Sequence, residues 1–329
     1  MTSFREEILE ATKEAHEIKE GRIKESSTKL DLWEIVDELD IPVLFRPLDN
    51  LWGGAITIDG QQGILVKSRL PPFLQRFTLA HELAHVVLGH ENRVDDELSV
   101  NMRVSTESNR PIEELTADTF ASELLASKEL ISINANRNGW GREELQTPEN
   151  IYQLSIRLSI SFEATIWALV DHGILSQRQG EDFNDDQSLP KKCKEYFAPK
   201  SISRNSHADI WSLTSKESNA LFDANKEDVF IIELKERTSS GYRWEFEDKS
   251  TVKVVYDEHT KGEEYGSFGT RKIGFSFPSP GNHSVRLKHM RPWNGEELEQ
   301  LNFTIDTRGR EEIGLPRNVK ETSLQRGLA

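Results

Sequence analysis

The sequence predicts an α+β protein in which a first part of helices and a small sheet precedes an all-β second part. Apolar residues recur at helical spacing through much of residues 1–180, whereas short runs rich in β-branched and aromatic residues follow from about residue 207. The 329 residues suffice for two or three domains. These patterns divide the chain into residues 1–30, 31–148, 149–180, 181–206, 207–307 and 308–329.

The composition restricts the class of partner and the compartment. The formal net charge of −15 argues against a broadly basic surface that binds nucleic acid. The single cysteine, Cys193, excludes an internal disulfide and fits a reducing compartment. The acidic N-terminus is followed by no apolar segment, and no apolar run approaches 18 residues. We therefore expect a cytoplasmic protein without a membrane segment.

The N-terminal residues are predicted to form two helices followed by a small sheet. Residues 3–24 form an amphipathic helix that either docks on the protein or contacts a partner. The elements predicted next are a helix at 31–39, a strand at 41–45, and a hairpin of strands 55–60 and 63–67 that turns at Asp59-Gly60. The edge strand of this sheet either holds an extended substrate or merely covers the helices, and both interpretations stay open.

The sequence His81-Glu82-Leu83-Ala84-His85 lies in a helix predicted over about 76–88. Histidines four residues apart project from one helix face, one turn from each other. This is the geometry with which two imidazoles hold one zinc ion, while Glu82 serves as a base for the attacking water. A catalytic zinc site takes three protein ligands, so a third ligand has to be found.

A second amphipathic helix, predicted over 113–125, offers that ligand. Glu114 stands one turn before Asp118, so Glu114 can complete a His-His-Glu site while Asp118 holds the free N–H of a ligand histidine. Glu113 and His90 are the alternative ligands, and His90 otherwise lines the cleft. Both glutamates would also be favourable at a helix N-terminus without any metal.

These two helices resemble the ImmA/IrrE family of intracellular zinc peptidases. The residues that carry the resemblance are Arg76 to His85 without a gap, Glu114, Ala117, Asp118, Phe120, Ala121, Leu124 and Leu125. The family often continues with Met-Pro where this chain has Ala126-Ser127, a departure outside the metal site. The resemblance covers about residues 30–180. It implies a gluzincin-type endopeptidase with one Zn²⁺ per chain that cleaves helix-turn-helix repressors in stress or mobile-element responses.

In such an enzyme a second donor to the oxyanion is expected, and His90 and Tyr152 are candidates. Tyr152 lies in the first of two short helices, 151–158 and 162–170, whose connection resembles a helix-turn-helix turn. The second helix carries acidic residues and no Lys or Arg, so direct DNA binding is disfavoured and a packing role expected. Residues 181–206, with mixed charges and two prolines, predict a solvated tether.

The second part predicts a β-sandwich over residues 207–307. Its best strands are 229–234, 252–256, 271–277, 284–287 and 301–305. Residues 308–329 lack apolar periodicity and are predicted to be disordered.

Three loops of this sandwich resemble the chagasin family of immunoglobulin-like inhibitors of papain-type cysteine peptidases. The shared residues are Gly241, Tyr242, Trp244, Gly266, Gly269, Arg291, Pro292 and Trp293. The chain departs from the family at Arg237-Thr238, where the family has Asn-Pro, and at Phe268, where it has Gly. In the family these positions enter the target's cleft, so the resemblance implies the immunoglobulin-like fold more firmly than inhibition.

We predict that five loop residues cluster at one end of the sandwich and bind a protein in trans, either the substrate or a licensing signal. They are Tyr242, Trp244, Phe268, Arg291 and Trp293. The alternative is that the two tryptophans only pack the sandwich end.

A competing function is a regulatory protein with a structural or weakly active zinc domain, whose sandwich inhibits a cysteine peptidase or binds another partner. Glu82 favours the enzyme, because a structural zinc site needs no acid between its histidines.

Overall fold

The structure, a computed structural model, describes residues 4–90, 94–96, 110–198, 208–237, 240–260 and 268–327. Its helices are α1 (Phe4–Lys19), α2 (Leu32–Glu38), α3 (Pro72–Val87), α4 (Ile112–Leu125), α5 (Lys128–Asn138), α6 (Pro148–Leu158), α7 (Phe162–Asp171), α8 (Gln177–Asp185), α9 (Leu189–Phe197) and α10 (Arg317–Gly327). Its strands are β1 (Val43–Arg46), β2 (Leu51–Ile58), β3 (Gln61–Lys67), β4 (Val94–Asp96), β5 (Ile210–Leu213), β6 (Leu221–Asp223), β7 (Val229–Glu236), β8 (Arg243–Phe246), β9 (Lys253–Thr260), β10 (Gly269–Ser276), β11 (Asn282–Met290) and β12 (Glu297–Asp306). The α+β class is confirmed. None of the described helices has the length and apolar character needed to cross a membrane.

The first sheet has the strand order β1-β3-β2-β4 and packs on α3. The predicted hairpin is β2-β3, and both of its turn residues, Asp59 and Gly60, have positive φ, as the Asp-Gly turn requires. Strand β2 begins at Leu51, earlier than predicted. Its first residues do not resemble a strand in the sequence, because Gly53 and Gly54 have little intrinsic preference for that conformation.

The helical core brings α1, α3 and α4 together. Ala11 and Ala15 of α1 are fully buried, and Lys19 at its end pairs with Glu123 of α4. The N-terminal helix therefore docks on the protein. Helix α3 begins at Pro72, four residues before the predicted start, with proline in the first turn, where its missing N–H costs nothing.

The second part consists of two four-stranded sheets, β5-β7-β10-β9 and β6-β12-β11-β8, which enclose one core. The five predicted strands correspond to β7, β9, β10, β11 and β12. Three further strands, β5, β6 and β8, have only three or four residues each, too few to show the alternation that reveals a strand. Strand β8 occupies part of what the sequence predicts as a loop.

The prediction of a solvated tether over residues 181–206 is wrong for most of that segment. Helix α8 continues to Asp185, and α9 follows over Leu189–Phe197. Leu189, Cys193 and Phe197 lie at i, i+4 and i+8 of α9, Cys193 is buried, and the Phe197 ring stacks on that of Tyr152. This apolar stripe is too short to stand out among the charges around it. Residues 199–207 lie outside the described part of the chain.

The predicted disordered tail is also wrong for the described residues. The backbone N–H groups of Phe45 and Gly314 each donate to the other's carbonyl at 2.8 Å, so the tail pairs with the edge of β1. The Gln75 side chain accepts from Glu311 N at 2.7 Å and donates to Glu311 O at 3.0 Å. Helix α10 follows. Backbone pairing of this kind leaves no periodic pattern in the sequence.

A buried polar interface joins the two parts. Arg157 of α6 and Glu217 have no exposed side-chain surface, and Arg157 Nε lies 2.7 Å from Glu217 Oε1. Gln153 Nε2 donates to Ile210 O at 2.7 Å, and its Oε1 accepts from Ser212 N at 2.9 Å, so β5 is hydrogen-bonded to α6. The sandwich is therefore docked on the helical extension, and the first helix of the helix-turn-helix-like pair is covered.

We expect the Arg157→Ala substitution to lower the free energy of unfolding by about 3–5 kcal/mol, because it leaves the Glu217 carboxylate buried without its cation. Urea denaturation monitored by circular dichroism measures the change. Arg178→Ala is the control, since Arg178 pairs with Asp182 at the surface, and a change within about 0.5 kcal/mol is expected. Equal, small losses in the two variants would contradict a stabilising role for the buried pair.

Candidate metal centre

Three buried side chains converge between α3 and α4. His81 and His85 lie one turn apart on α3, and their Nε2 atoms are 3.1 Å apart. Glu114 of α4 places Oε2 3.4 Å from His81 Nε2 and Oε1 3.7 Å from His85 Nε2. Ligands at about 2.0–2.1 Å from a tetrahedral zinc ion lie about 3.3–3.4 Å from one another. The three groups therefore have the spacing that suits a single metal ion.

The Glu114 carboxylate supports this interpretation. Its Oε2 atom is buried and accepts no hydrogen bond from the described residues. A buried acceptor without a donor is costly, and a cation between the three groups would remove that cost. Among the described residues the structure brings Glu114, and neither Glu113 nor His90, into the cluster with the two histidines.

Two further side chains fix the orientation of the imidazoles. Asp118 Oδ1 lies 3.0 Å from His81 Nδ1, and Arg110 Nη1 donates to Asp118 Oδ2 at 2.9 Å. His85 Nδ1 lies 2.9 Å from Nδ1 of His90. When each ligand histidine donates from Nδ1 to its outer partner, the Nε2 lone pairs face the centre. Asp118 and His90 thus lie behind the histidines, where they can orient them.

Glu82 lies between the histidines in sequence and faces β2. A Cβ atom at Gly53 would stand 2.7 Å from Glu82 Oε1 and 2.4 Å from Thr78 Cγ2. Only glycine allows β2 to approach α3 this closely without displacing the carboxylate. Gly53 is not among the residues predicted from the sequence to belong to the site, and the one signal for it is a glycine inside a strand.

Tyr152 lies elsewhere. Its hydroxyl donates to Asp209 Oδ1 and accepts from Ile210 N, both at 2.9 Å, at the interface with the sandwich. Burial, followed by the nearby Asp209 carboxylate, raises the pKa of Tyr152. Tyr152 is therefore excluded as a donor to an oxyanion at the three-residue cluster.

Three of the five predicted loop residues, Phe268, Arg291 and Trp293, form a group that is at least partly exposed at one end of the sandwich. Trp293 is 70% exposed and packs across Gly241, where a Cβ atom would meet its ring at 2.0 Å. Phe268 is 52% exposed beneath the Arg237 guanidinium. The Arg291 guanidinium lies 4.4 Å from the centre of the buried Tyr242 ring, which supports it. Residues 238, 239 and 261–267 lie outside the described part of the chain.

Trp244 does not belong to that exposed group. It is 2% exposed, its Nε1 donates to Lys235 O at 2.9 Å, and its ring stacks on His289. The prediction that Trp244 contacts a partner is therefore corrected to a packing role. The strand β8 turns this side chain into the core between the sheets, because inward and outward positions alternate along a strand.

Two parts of the chain match known protein families. Residues 36–169 match the model of the IrrE N-terminal-like domain, and residues 223–306 match that of the chagasin family of peptidase inhibitors. Amoebiasin-2 of Entamoeba histolytica is 26% identical over 108 residues, which cover 31% of this chain and 88% of that protein. Chagasin of Trypanosoma cruzi is 24% identical over 101 residues, which cover 28% of this chain and 92% of that protein.

Solved structures also match the second part. The crystal structure of a cysteine protease inhibitor from Entamoeba histolytica is 27% identical, with 31% of this chain and 98% of that chain covered and a TM-score of 0.29. The solution structure of amebosin is 24% identical, with 30% and 95% covered and a TM-score of 0.24. The two family-model matches show that the chain carries an IrrE N-terminal-like domain, which indicates a metallopeptidase, followed by a chagasin-family domain.

Proposed function

We propose that the chain is a zinc-dependent endopeptidase in which His81, His85 and Glu114 hold one zinc ion. The observation that supports it most directly is the buried cluster of two imidazoles and a carboxylate, with ligand atoms 3.1 to 3.7 Å apart. A zinc ion bound there supplies a water of lowered pKa, about 7, and polarises the peptide carbonyl.

Side chains of the protein would transfer the protons and orient the metal ligands. Glu82 accepts the proton of the attacking water and delivers it to the leaving nitrogen. Asp118 and His90 hold the two imidazoles in the tautomer that directs Nε2 at the metal. A regulatory protein with a purely structural metal would need no acid at position 82, and this favours the enzyme.

The ligand assignment predicts a difference between two adjacent glutamates. Purified wild-type protein is expected to contain one equivalent of zinc, and Glu114→Ala to lose most of it, because two histidines alone hold zinc much more weakly. Glu113→Ala is the matched control and is expected to retain the metal. Inductively coupled plasma mass spectrometry measures the content, and zinc retained in the Glu114 variant would refute the assignment.

For the substrate we propose a helix-turn-helix repressor, cleaved in the cytoplasm during a stress or mobile-element response. The support is the similarity of residues 36–169 to the IrrE N-terminal-like domain. A small helix-turn-helix protein encoded beside the gene would be the first substrate to test.

We expect Glu82→Gln to lower the rate of repressor cleavage by about 10²-fold or more, because the amide cannot accept the proton of the attacking water. The zinc content should stay unchanged, which separates this effect from loss of the metal. Gel electrophoresis of timed digests measures the rate. Cleavage by the Gln variant at the wild-type rate would exclude Glu82 as the base.

A second function is supported for the sandwich, namely binding of a papain-type cysteine peptidase or another protein in trans. The supporting observations are the chagasin-family match, the exposed side chains of Phe268 and Trp293, and the half-buried Arg291 beside them. Deletion of the whole sandwich is a poor test, because it would leave Arg157 without Glu217. Substitutions confined to the loops preserve that interface.

With papain as the probe, Trp293→Ala is expected to weaken binding at least about tenfold, since large exposed aromatic residues dominate such interfaces. Val254→Ala, which removes an exposed apolar side chain from β9 at the opposite end of the sandwich, serves as control and should bind like wild type. Titration calorimetry measures both dissociation constants. Papain that fails to bind the wild-type chain would argue against this inhibitor function.

A further inference from the structure

A cavity of about 140 Å³ lies at the junction of the two parts. Helices α2 and α3 contribute Trp33, Phe73 and Arg76 to its walls, and the sandwich contributes Trp211 and Asp223. Residues 309–311, in the segment that returns to the first part, close another side. The cavity is therefore bounded both by helix α3, which carries His81 and His85, and by the sandwich.

Each carboxylate that lines this cavity already has a partner. The partners are Lys29 for Asp223, Lys194 at 2.9 Å for Asp209, Trp211 Nε1 at 3.0 Å for Asp228, and Arg317 at 3.6 Å for Glu311. Burial raises the pKa of Asp228 to about 7, so this group carries less than a full negative charge near neutral pH. The carboxylates that line the cavity therefore do not require an additional cation as a partner.

Arg76 is the exception among these charged groups. Its Nη2 atom donates to Leu30 O at 2.6 Å, while its Nε is buried and has no hydrogen-bond partner. Within the described part of the chain its guanidinium forms no direct ion pair, although the carboxylates of Asp223 and Asp31 lie near enough to act on it electrostatically and raise its pKa. Burial is nevertheless the largest influence on its pKa, which is lowered to about 10. A guanidinium has five N–H donors, and buried charges are normally paired, so an acceptor is missing here.

We propose that this cavity binds a small aromatic carboxylate, whose charged group pairs with Arg76 and whose ring lies against Trp33, Phe73 and Trp211. An apolar cavity of about 150 Å³ holds a benzene molecule, so the available space suits one ring. A carboxylate matches the fork of a guanidinium with two hydrogen bonds. The nearby acids disfavour a doubly charged group such as a phosphate monoester.

The location of the cavity means that a bound ligand would affect the contact between the two parts of the chain. Arg76 precedes His81 on α3 by five residues, and the opposite wall belongs to β5 and β6. A bound carboxylate would contact both parts of the chain and tighten their junction. This inference is independent of zinc binding and of peptide cleavage.

Binding of benzoate to the full-length protein tests the proposal by titration calorimetry. We expect the wild type to bind benzoate, and Arg76→Met to bind it at least about tenfold more weakly, because a charge-assisted pair is lost. Benzamide, a neutral molecule of the same shape, should also bind the wild type at least about tenfold more weakly. Arg178→Met removes an exposed arginine of α8 and should bind benzoate like wild type.

The thermal midpoint without ligand supplies a second measurement. Arg76→Met loses the hydrogen bond from Nη2 to Leu30 O but also removes a buried, unpaired cation, so its midpoint should stay close to the wild-type temperature. Benzoate should raise the midpoint of the wild type by clearly more than that of the variant at the same concentration. The proposal is overturned if the wild type does not bind benzoate, if Arg76→Met or benzamide makes no difference, or if Arg76→Met clearly lowers the midpoint.

Discussion

Packing of α3 against α4 decides whether the candidate metal centre exists. Ala84 on one helix and Ala117 and Ala121 on the other are fully buried in the common core. Such small side chains allow two helices to approach closely. The imidazoles of α3 can then meet a carboxylate of α4 at 3.4 and 3.7 Å. Larger side chains at the contact would separate the helices and with them the three ligand atoms.

The same packing makes the polar groups of the centre interdependent. Once His81 and His85 are buried, each Nδ1 needs a partner, and Asp118 and His90 supply it. Arg110 in turn balances the charge of Asp118. Glu114 Oε2 remains without a donor in the described structure and faces the His81 imidazole, while Oε1 faces that of His85. Hydrogen bonding and burial thus favour a cation at one point between the helices.

The junction changes how the two domains can cooperate. A flexible tether would raise the local concentration of anything bound to the sandwich. A docked sandwich instead holds its exposed loops in a fixed direction relative to α3, through the Arg157–Glu217 pair and the hydrogen bonds of Gln153. The returning segment adds a second attachment at Gln75, on the helix that carries both histidines. Proteins bound to the two domains would therefore be presented to each other in one geometry.

The sequence by itself determined the features that depend on residues close together along the chain, namely helix faces, turns and the longer strands. Spacing of four residues places His81 and His85 on one helix face, Asp59-Gly60 fixes a hairpin turn, and alternation reveals the longer strands. Tertiary structure alone decided which side chains become buried together across long separations. Gln75 and Glu311 are 236 positions apart, and Arg157 and Glu217 are 60 apart. Such pairs leave no periodic signal in the sequence, because each depends on where two separately formed elements meet. The same reason applies to the burial of Trp244 and to the close approach of Gly53 to Glu82.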